Sequence, residues 1–197
     1  MSVLIVEDDV LVAAALARAV SRHSVPHVVG TLHDAHEALR TRQAWLAAIV
    51  DVGLPDGNGL EIAVQLTTEL RIPTLVLTGR AEHRLANEAQ AIGAQFLFKP
   101  VGLDDIDGFV QRVIANDPKT RIDNALDAMS SAAGLTLRER EIVALTLSGT
   151  ARSDLAHALQ TQESTIKTHV RSILVKTAAR DLGEVARRVL ERAVHRG

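Results

Sequence analysis

Ala47-Ala48-Ile49-Val50-Asp51-Val52-Gly53-Leu54-Pro55-Asp56-Gly57-Asn58-Gly59 is an apolar run that ends in one carboxylate and then breaks into proline and glycine. Such a run reads as a strand buried on both faces, which puts Asp51 at the carboxyl end of a parallel sheet, where open α/β folds keep their ligand crevice. A lone strand-end aspartate says little. Its weight comes from three other segments expected at the same edge: Glu7-Asp8-Asp9, Thr78 and Lys99-Pro100.

Working outward, Ser2 to Val6 is a first buried strand that stops at the three acids, and residues 10–22 read as a helix with Leu11, Ala14, Ala15, Arg18 and Arg22 at helical spacing. The acids can cap that helix, but three adjacent carboxylates exceed what one cap needs. Residues 26–30 read as a second strand, 33–43 as a helix and 47–51 as the third strand. Gly57, Asn58 and Gly59 open a helix through Glu69 with Leu60, Ala63, Val64 and Leu66 on its inner side. Thr74 to Thr78 and Gln95 to Phe98 are the remaining strands, with helices expected over 82–92 and 103–115. Five strands alternating with five helices imply an α/β fold: a doubly wound, five-stranded parallel sheet covered on both faces.

In such a sheet Glu7, Asp8, Asp51, Thr78 and Lys99 share one crevice. Crowded carboxylates repel one another unless a hard cation neutralises them, and Mg²⁺ takes one or two carboxylates together with water and phosphate oxygens. A pocket for Mg²⁺ and a phosphoryl group follows, with Asp51 as nucleophile and Lys99 and the Thr78 hydroxyl offsetting charge on the phosphoryl oxygens.

The 197 residues leave room for two small domains, and the strand and helix alternation stops near residue 115. The formal charge of −2 conceals an asymmetry: residues 1–118 hold 9 Lys and Arg against 15 Asp and Glu, net −6, and residues 119–197 hold 13 against 9, net +4. An acidic front joined to a basic back suits a phosphate-chemistry module fused to a polyanion binder. The chain has no cysteine, which excludes disulfides and thiolate-ligated metals. No basic leader is evident, and no apolar run nears the ~18 to 20 residues of a membrane span, so a cytoplasmic protein without a membrane partner is expected.

The ordered set of an acidic pair, Asp51, Thr78 and Lys99-Pro100 resembles a response-regulator receiver domain of flavodoxin-like fold, over residues 1 to about 117. The resemblance implies that Asp51 is the phospho-acceptor, Asp8 a direct Mg²⁺ ligand and Glu7 a ligand through water. It further implies that the Gly53 carbonyl completes the metal shell and that Lys99 pairs with the phosphate. Thr78 and the aromatic Phe96, three residues before Lys99, would form the switch. The Lys99-Pro100 bond is expected to be cis by the same likeness.

Residues 115–120 are polar and carry Pro118, so the boundary falls near there, with 118–133 expected as a partly helical linker and 134–197 as a small all-α domain. Thr136 and Glu139 have capping-box spacing, and helices are expected over 136–148, 153–160, 162–177 and 181–195. In the third of these Ile166, Val170, Ile173 and Thr177 make one stripe, while Ser164, Lys167, Thr168 and Arg171 lie opposite. A basic outer face on a short helix after a tight connection suits a major-groove helix. Residues 135–141 and 164–171 are similar to the LuxR-type helix-turn-helix, and the two parts together resemble a NarL/FixJ-type response regulator. That likeness makes Lys167, Thr168 and Arg171 the DNA-contact candidates, with His169 touching phosphate or packing locally. The match thins after Lys176, where Thr177-Ala178-Ala179 and Leu182 replace the family's Leu-Gly-Val and a later Arg.

The resemblance implies a transcription regulator controlled by a sensor histidine kinase, which phosphorylates Asp51 and promotes homodimerisation and binding to a double-stranded DNA operator. Two rivals remain. One is a constitutive DNA binder whose receiver is not phosphorylated. The other is a phosphohydrolase, which needs a second acid beside Asp51, whereas Gly53 occupies the position two residues on. His23, His27, His33 and His36 cluster in sequence, but Pro26 prevents a continuous helix from presenting the first pair, which disfavours a zinc site. Trp45, the only tryptophan, is expected to pack at the start of the third strand.

Overall fold

The computed structural model describes residues 1–41, 43–79 and 91–194. The chain divides into two compact units, Met1–Ala115 and Asn116–Gly197.

In the first unit the strands β1 (Ser2–Val6), β2 (Val25–Val29), β3 (Trp45–Asp51), β6 (Thr74–Thr78) and β7 (Gln95–Phe98) form a parallel sheet in the order β2-β1-β3-β6-β7. A two-stranded hairpin, β4 (Gly53–Leu54) and β5 (Gly57–Asn58), follows β3 directly. One sheet face packs Val3, Ile5, Ile49 and Leu77 against Leu16 of α1 (Val10–Val20) and Ile106 and Phe109 of α4 (Leu103–Asn116). The other packs Leu4, Val6, Ala48 and Val50 against Leu32 and Ala35 of α2 (Leu32–Arg40) and Ile62 of α3 (Gly59–Val64). The sheet is therefore covered on both faces, which is why its central strands read as continuous apolar runs.

The described elements follow the expected order, with local differences. The inner stripe of α1 is Ala13, Leu16, Ala19 and Val20, and the Leu11 stripe faces outward, with Leu11 itself 83% exposed. Apolar residues occupy every face of this helix, so spacing alone could not select the buried one. Residues 59–69 are not one α-helix: α3 passes at Gln65 into a π-helical turn through Glu69, and Val64 is exposed. The Thr67 and Thr68 hydroxyls donate to the Ala63 and Val64 carbonyls, both at 2.7 Å, bonding back one turn where the hydrogen-bond ladder widens. The helix expected over 82–92 lies largely outside the described residues.

The second unit is helical among the described residues: α5 (Pro118–Ala133), α6 (Leu137–Leu147), α7 (Leu155–Ala158), α8 (Glu163–Thr177) and α9 (Leu182–Val194). Residues 118–133, expected as a partly helical linker, form one helix throughout, starting with Pro118 after the N-cap Asp117. Its Ala125 and Leu126 share a core with Ile142, Leu155, Ile166, Val170, Ile173, Val185 and Val189.

Candidate functional site

The first site forms where β1, β3, β6 and β7 end. The sheet order reverses between β1 and β3, the switch point at which open α/β sheets leave a crevice. β1 and β3 are buried from their second residues to their last, so Glu7 and Asp51 emerge from the core at that edge, 2% and 7% exposed. The three acids divide the work. Asp9 caps α1, its Oδ1 accepting from the Leu11 and Val12 amides at 2.8 and 3.1 Å, which leaves Glu7 and Asp8 for the crevice.

Lys99 Nζ lies 2.7 Å from Glu7 Oε2 and 3.2 Å from Asp51 Oδ2. Carboxylate oxygens of Glu7, Asp8 and Asp51 approach within 4.8 Å of one another. This all-oxygen donor set fits a hard cation of the Mg²⁺ class. Burial pushes the Glu7 carboxyl up; the Lys99 hydrogen bond offsets part of that rise, while the Asp51 charge adds to it. Burial alone would lower the Lys99 ammonium, but the Glu7 hydrogen bond and the charges of Asp51 and Glu7 outweigh it and raise its pKa, so Lys99 stays cationic.

Thr78 is buried at the end of β6, and the Lys99 amide donates to its carbonyl at 2.7 Å, bringing β7's exit alongside. The Lys99-Pro100 bond is cis. Phe96 is half-buried on β7, packs against the cluster of Leu60, Ala63 and Val76, and meets Phe98 edge-to-face with ring centroids 5.1 Å apart. Gly53 follows Asp51 on β4; a Cβ there would stand 3.9 Å from Asp51 Oδ2. Gly59 is required by close approach, since a Cβ would fall 1.8 Å from the Asp51 backbone oxygen. Glu7, Asp8, Asp51, Thr78 and Lys99 thus lie at one sheet edge, with Gly53 just beyond it and Phe96 inside the sheet opposite Val76.

The second site is the outer face of α8. Ile166, Val170 and Ile173 are buried on the inner face, while Ser164, Lys167, Thr168 and Arg171 are exposed and His169 is half-buried. Lys167 is 72% exposed at its side chain and 3.9 Å from the Glu163 carboxylate; Thr168 Oγ1 donates to the Ser164 carbonyl at 3.1 Å. A cleft of about 310 Å³ beside the helix start is lined by Arg152, Ser153, Glu163 and Lys167, so Arg152 adds a cation beside this face that spacing along α8 could not reveal.

Among the described residues two cations, Lys176 and Arg188, hold α8 in place, and a third, Arg138, holds the preceding α7. Lys176 reaches the buried Glu139 at 2.7 Å, and Glu139 also closes the capping box of α6 by accepting from the Thr136 amide. Arg138 donates to the Leu159 carbonyl at 2.6 Å, at the end of α7. Arg188, from α9, donates to the Thr177 and Ala178 carbonyls at 2.8 and 3.3 Å, closing the C-terminus of α8. Leu182, which stands where the resemblance expected an arginine, is buried, and Arg188 supplies a guanidinium from a later turn. Glu184 anchors it, its carboxyl held at about 2 by the Arg180 amide and by the Arg180 and Arg188 guanidinium groups.

The clustered histidines have separate surroundings: His23 Nε2 is 2.8 Å from Asp107, His27 stacks edge-on with Trp45, and His36 Nδ1 lies 2.8 Å from the Leu32 carbonyl. Among the described residues no helix is long and apolar enough to cross a membrane.

Residues 3–111 match the response regulator receiver domain, and residues 133–189 match the luxR family of bacterial regulatory proteins. The chain is 26% identical over 148 residues to the transcriptional regulatory protein FixJ of Rhizobium meliloti, covering 72% of each. It is also 26% identical over 208 residues to the transcriptional regulatory protein LnrK of Bacillus subtilis, covering 94% of each. Among solved structures, full-length FixJ from B. japonicum superposes with a TM-score of 0.54 at 21% identity over 98% of this chain and 97% of that one. The response regulator StyR superposes with a TM-score of 0.52 at 25% identity, covering 96% and 98%. With a receiver at one end and a luxR-type DNA-binding domain at the other, the chain belongs to the NarL/FixJ family of two-component response regulators that control transcription.

Proposed function

We propose that the protein is a phosphorylation-gated DNA-binding regulator: a sensor histidine kinase transfers a phosphoryl group to Asp51, and the phosphorylated chain dimerises and binds a double-stranded DNA operator. The observation that carries this reading is the convergence of Glu7, Asp8, Asp51 and Lys99 on one sheet edge, in a chain that also presents the basic face of α8.

In the transfer step an Asp51 carboxylate oxygen attacks phosphorus, the new P–O bond forms as the P–N bond to the kinase histidine breaks, and the departing imidazole keeps the electron pair and takes up a proton. Asp8 and Asp51 would hold Mg²⁺ directly, with Glu7 through water and the Gly53 carbonyl completing the protein's share. When bound, the ion neutralises charge on the phosphoryl oxygens. Lys99, 3.2 Å from Asp51 Oδ2 and kept cationic, pairs with the phosphoryl group and needs only to shift its balance away from Glu7. Thr78 and Phe96 are the switch pair: the hydroxyl follows the phosphoryl oxygens, and the ring on β7 turns inward behind it. A phosphoryl group adds about 1.5 to 2 negative charges, enough to bias a two-state receiver. Chemistry of this receiver is confined to its own phosphorylation and dephosphorylation. Lys167, Thr168 and Arg171 contact bases or phosphates in the major groove, with His169 at the edge of the contact. The cytoplasm is the compartment where kinase, Mg²⁺ and DNA meet.

The test is incubation of the full chain with acetyl phosphate and Mg²⁺, read by intact mass. One phosphoryl group, labile to hydroxylamine and lost in Asp51→Asn, is expected; modification that survives in Asp51→Asn would overturn the assignment.

A further inference from the structure

The hairpin that follows Asp51 is fastened to a helix distant in sequence. Asp56, at its tip, accepts from two backbone amides of α2: Leu32 N at 2.8 Å through Oδ1 and His33 N at 2.9 Å through Oδ2. These are donors that the first turn of a helix leaves open. α2 has its own cap, the Thr31 hydroxyl accepting from Asp34 N at 3.0 Å, so the Asp56 bonds are additional to the helix's ordinary closure. The two amide bonds lower the Asp56 carboxyl pKa, keeping it ionised. Beside it Gly57 rests on the same helix, where a Cβ would stand 2.7 Å from Leu32 Cδ1, and Leu54 is buried in the cluster containing Leu32. At its base the hairpin is closed by the Gly53 and Asn58 pair, and Asn58 Oδ1 accepts from Leu60 N at 3.0 Å to start α3.

Gly53 therefore sits between two fixed points, the end of β3 and a tip bound to α2. We infer that Asp56 is a positioning residue for the cation site: by tying the hairpin tip to the Leu32 and His33 amides it holds the Gly53 carbonyl at the position from which it serves the metal shell. The inference rests on the phosphoryl-transfer reading above and names a residue outside the crevice as its support. Using both carboxylate oxygens on two successive amides fixes the tip in direction as well as distance, which one bond would not do. α2 itself is held by Leu32, Ala35 and Ala38 in the core, so the anchor is rigid.

The test compares Asp56→Ala, Asp56→Asn and Thr31→Ala in the full chain, by calorimetric titration with MgCl₂, thermal melting, and the shift of the Gly53 amide resonance on Mg²⁺ addition. Thr31→Ala removes a cap from the same helix without touching the hairpin. Support around a metal site is worth about 10-fold or more in affinity, so Asp56→Ala is expected to weaken Mg²⁺ binding about 10-fold. Asp56→Asn, which keeps one acceptor oxygen, falls between it and wild type, and Thr31→Ala stays within about twofold of wild type at a comparable loss of melting temperature. If Asp56→Ala and Asp56→Asn bind Mg²⁺ as Thr31→Ala does, Asp56 is only a second helix cap and the inference fails. Should Asp56→Ala not fold, the contrast between Asp56→Asn and Thr31→Ala decides. A wild-type chain that binds no Mg²⁺ would overturn the phosphoryl-transfer reading itself, and the role of Asp56 with it.

Discussion

Neutralising Glu139 should loosen the DNA-binding unit by an amount that depends on pH. Its side chain is 3% exposed and takes hydrogen bonds from Thr136 N and Lys176 Nζ, each at 2.7 Å. Burial alone would raise its carboxyl, but the bonds from Lys176, Ser172 and Thr136 outweigh burial and hold it at about 2, against an ordinary 4.5. At ~1.4 kcal/mol per pH unit this difference makes the ionised carboxylate worth about 3 kcal/mol to the folded state. The folded value lies below the unfolded one, so the contribution is complete above the unfolded 4.5 and disappears as pH falls toward 2. Glu139→Gln keeps the size and one acceptor but not the charge, and is expected to cost about 2 to 3 kcal/mol at pH 7, with the gap to wild type closing toward pH 2.

Denaturation of the full chain can isolate the effect, because Trp45 lies in the first unit and is the only tryptophan. Trp45 fluorescence should follow an unshifted transition while the helical circular dichroism signal of the second unit moves to lower denaturant. A double-mutant cycle with Lys176→Met should return a smaller coupling, about 1 to 2 kcal/mol, because the Lys176 side chain is 31% exposed and solvent screens its share. Equal stability of Glu139→Gln and wild type at pH 7, or a gap that persists unchanged near pH 2, would refute the reasoning.

Other outcomes follow from the same contacts. Ala178 closes α8 with φ 49° and ψ 42°, a left-handed conformation that disfavours a Cβ, so Ala178→Gly should stabilise the second unit by about 1 kcal/mol, raising its melting temperature by several degrees. Gly59→Ala should abolish phosphorylation of Asp51 and destabilise the receiver, since the new Cβ meets the Asp51 carbonyl; intact mass after acetyl phosphate and a melting curve both read it. Ser130 Oγ is buried with no hydrogen-bond partner among the described residues, and Ser130→Ala is expected to be neutral or stabilising by up to about 1 kcal/mol in denaturant titration. Lys167→Ala and Arg171→Ala should each weaken operator binding and reduce the steepness of its salt dependence by about one ion for a phosphate contact, measured by fluorescence anisotropy across a salt series.

The crevice was legible because Glu7, Asp51 and Thr78 close buried apolar runs that announce both the strand and its exit, while Lys99 follows the half-exposed β7 and is marked by the Lys-Pro pair. The inner stripe of α8 was legible for a similar reason, with Ile166, Val170 and Ile173 set against polar neighbours. Where that contrast is missing, reading fails. In α1 the helical spacing of Leu11, Ala14, Ala15, Arg18 and Arg22 does not mark the buried face, which is Ala13, Leu16, Ala19 and Val20, because apolar residues fill the whole helix. Local pattern alone does not sort three adjacent acids; the structure separates them, with Asp9 capping α1 and Glu7 reaching Lys99. Contacts made across the fold left no local mark. The Asp56 bonds to α2 and the Arg188 closure of α8 link residues with no shared periodicity, and only packing brings them together. The π-helical turn after α3 depends on how Thr67 and Thr68 bond back to the preceding turn, a choice open to any serine or threonine.

The central claim, that phosphorylation of Asp51 gates DNA binding, is tested most directly by sequencing genomic fragments captured by the purified chain with Mg²⁺, in the presence and absence of beryllofluoride. Enrichment of a defined set of fragments only with beryllofluoride, lost in Asp51→Asn, is the predicted result. Equal enrichment under both conditions would mean that the receiver does not control binding, and no enrichment under either would contradict the DNA-binding role of α8.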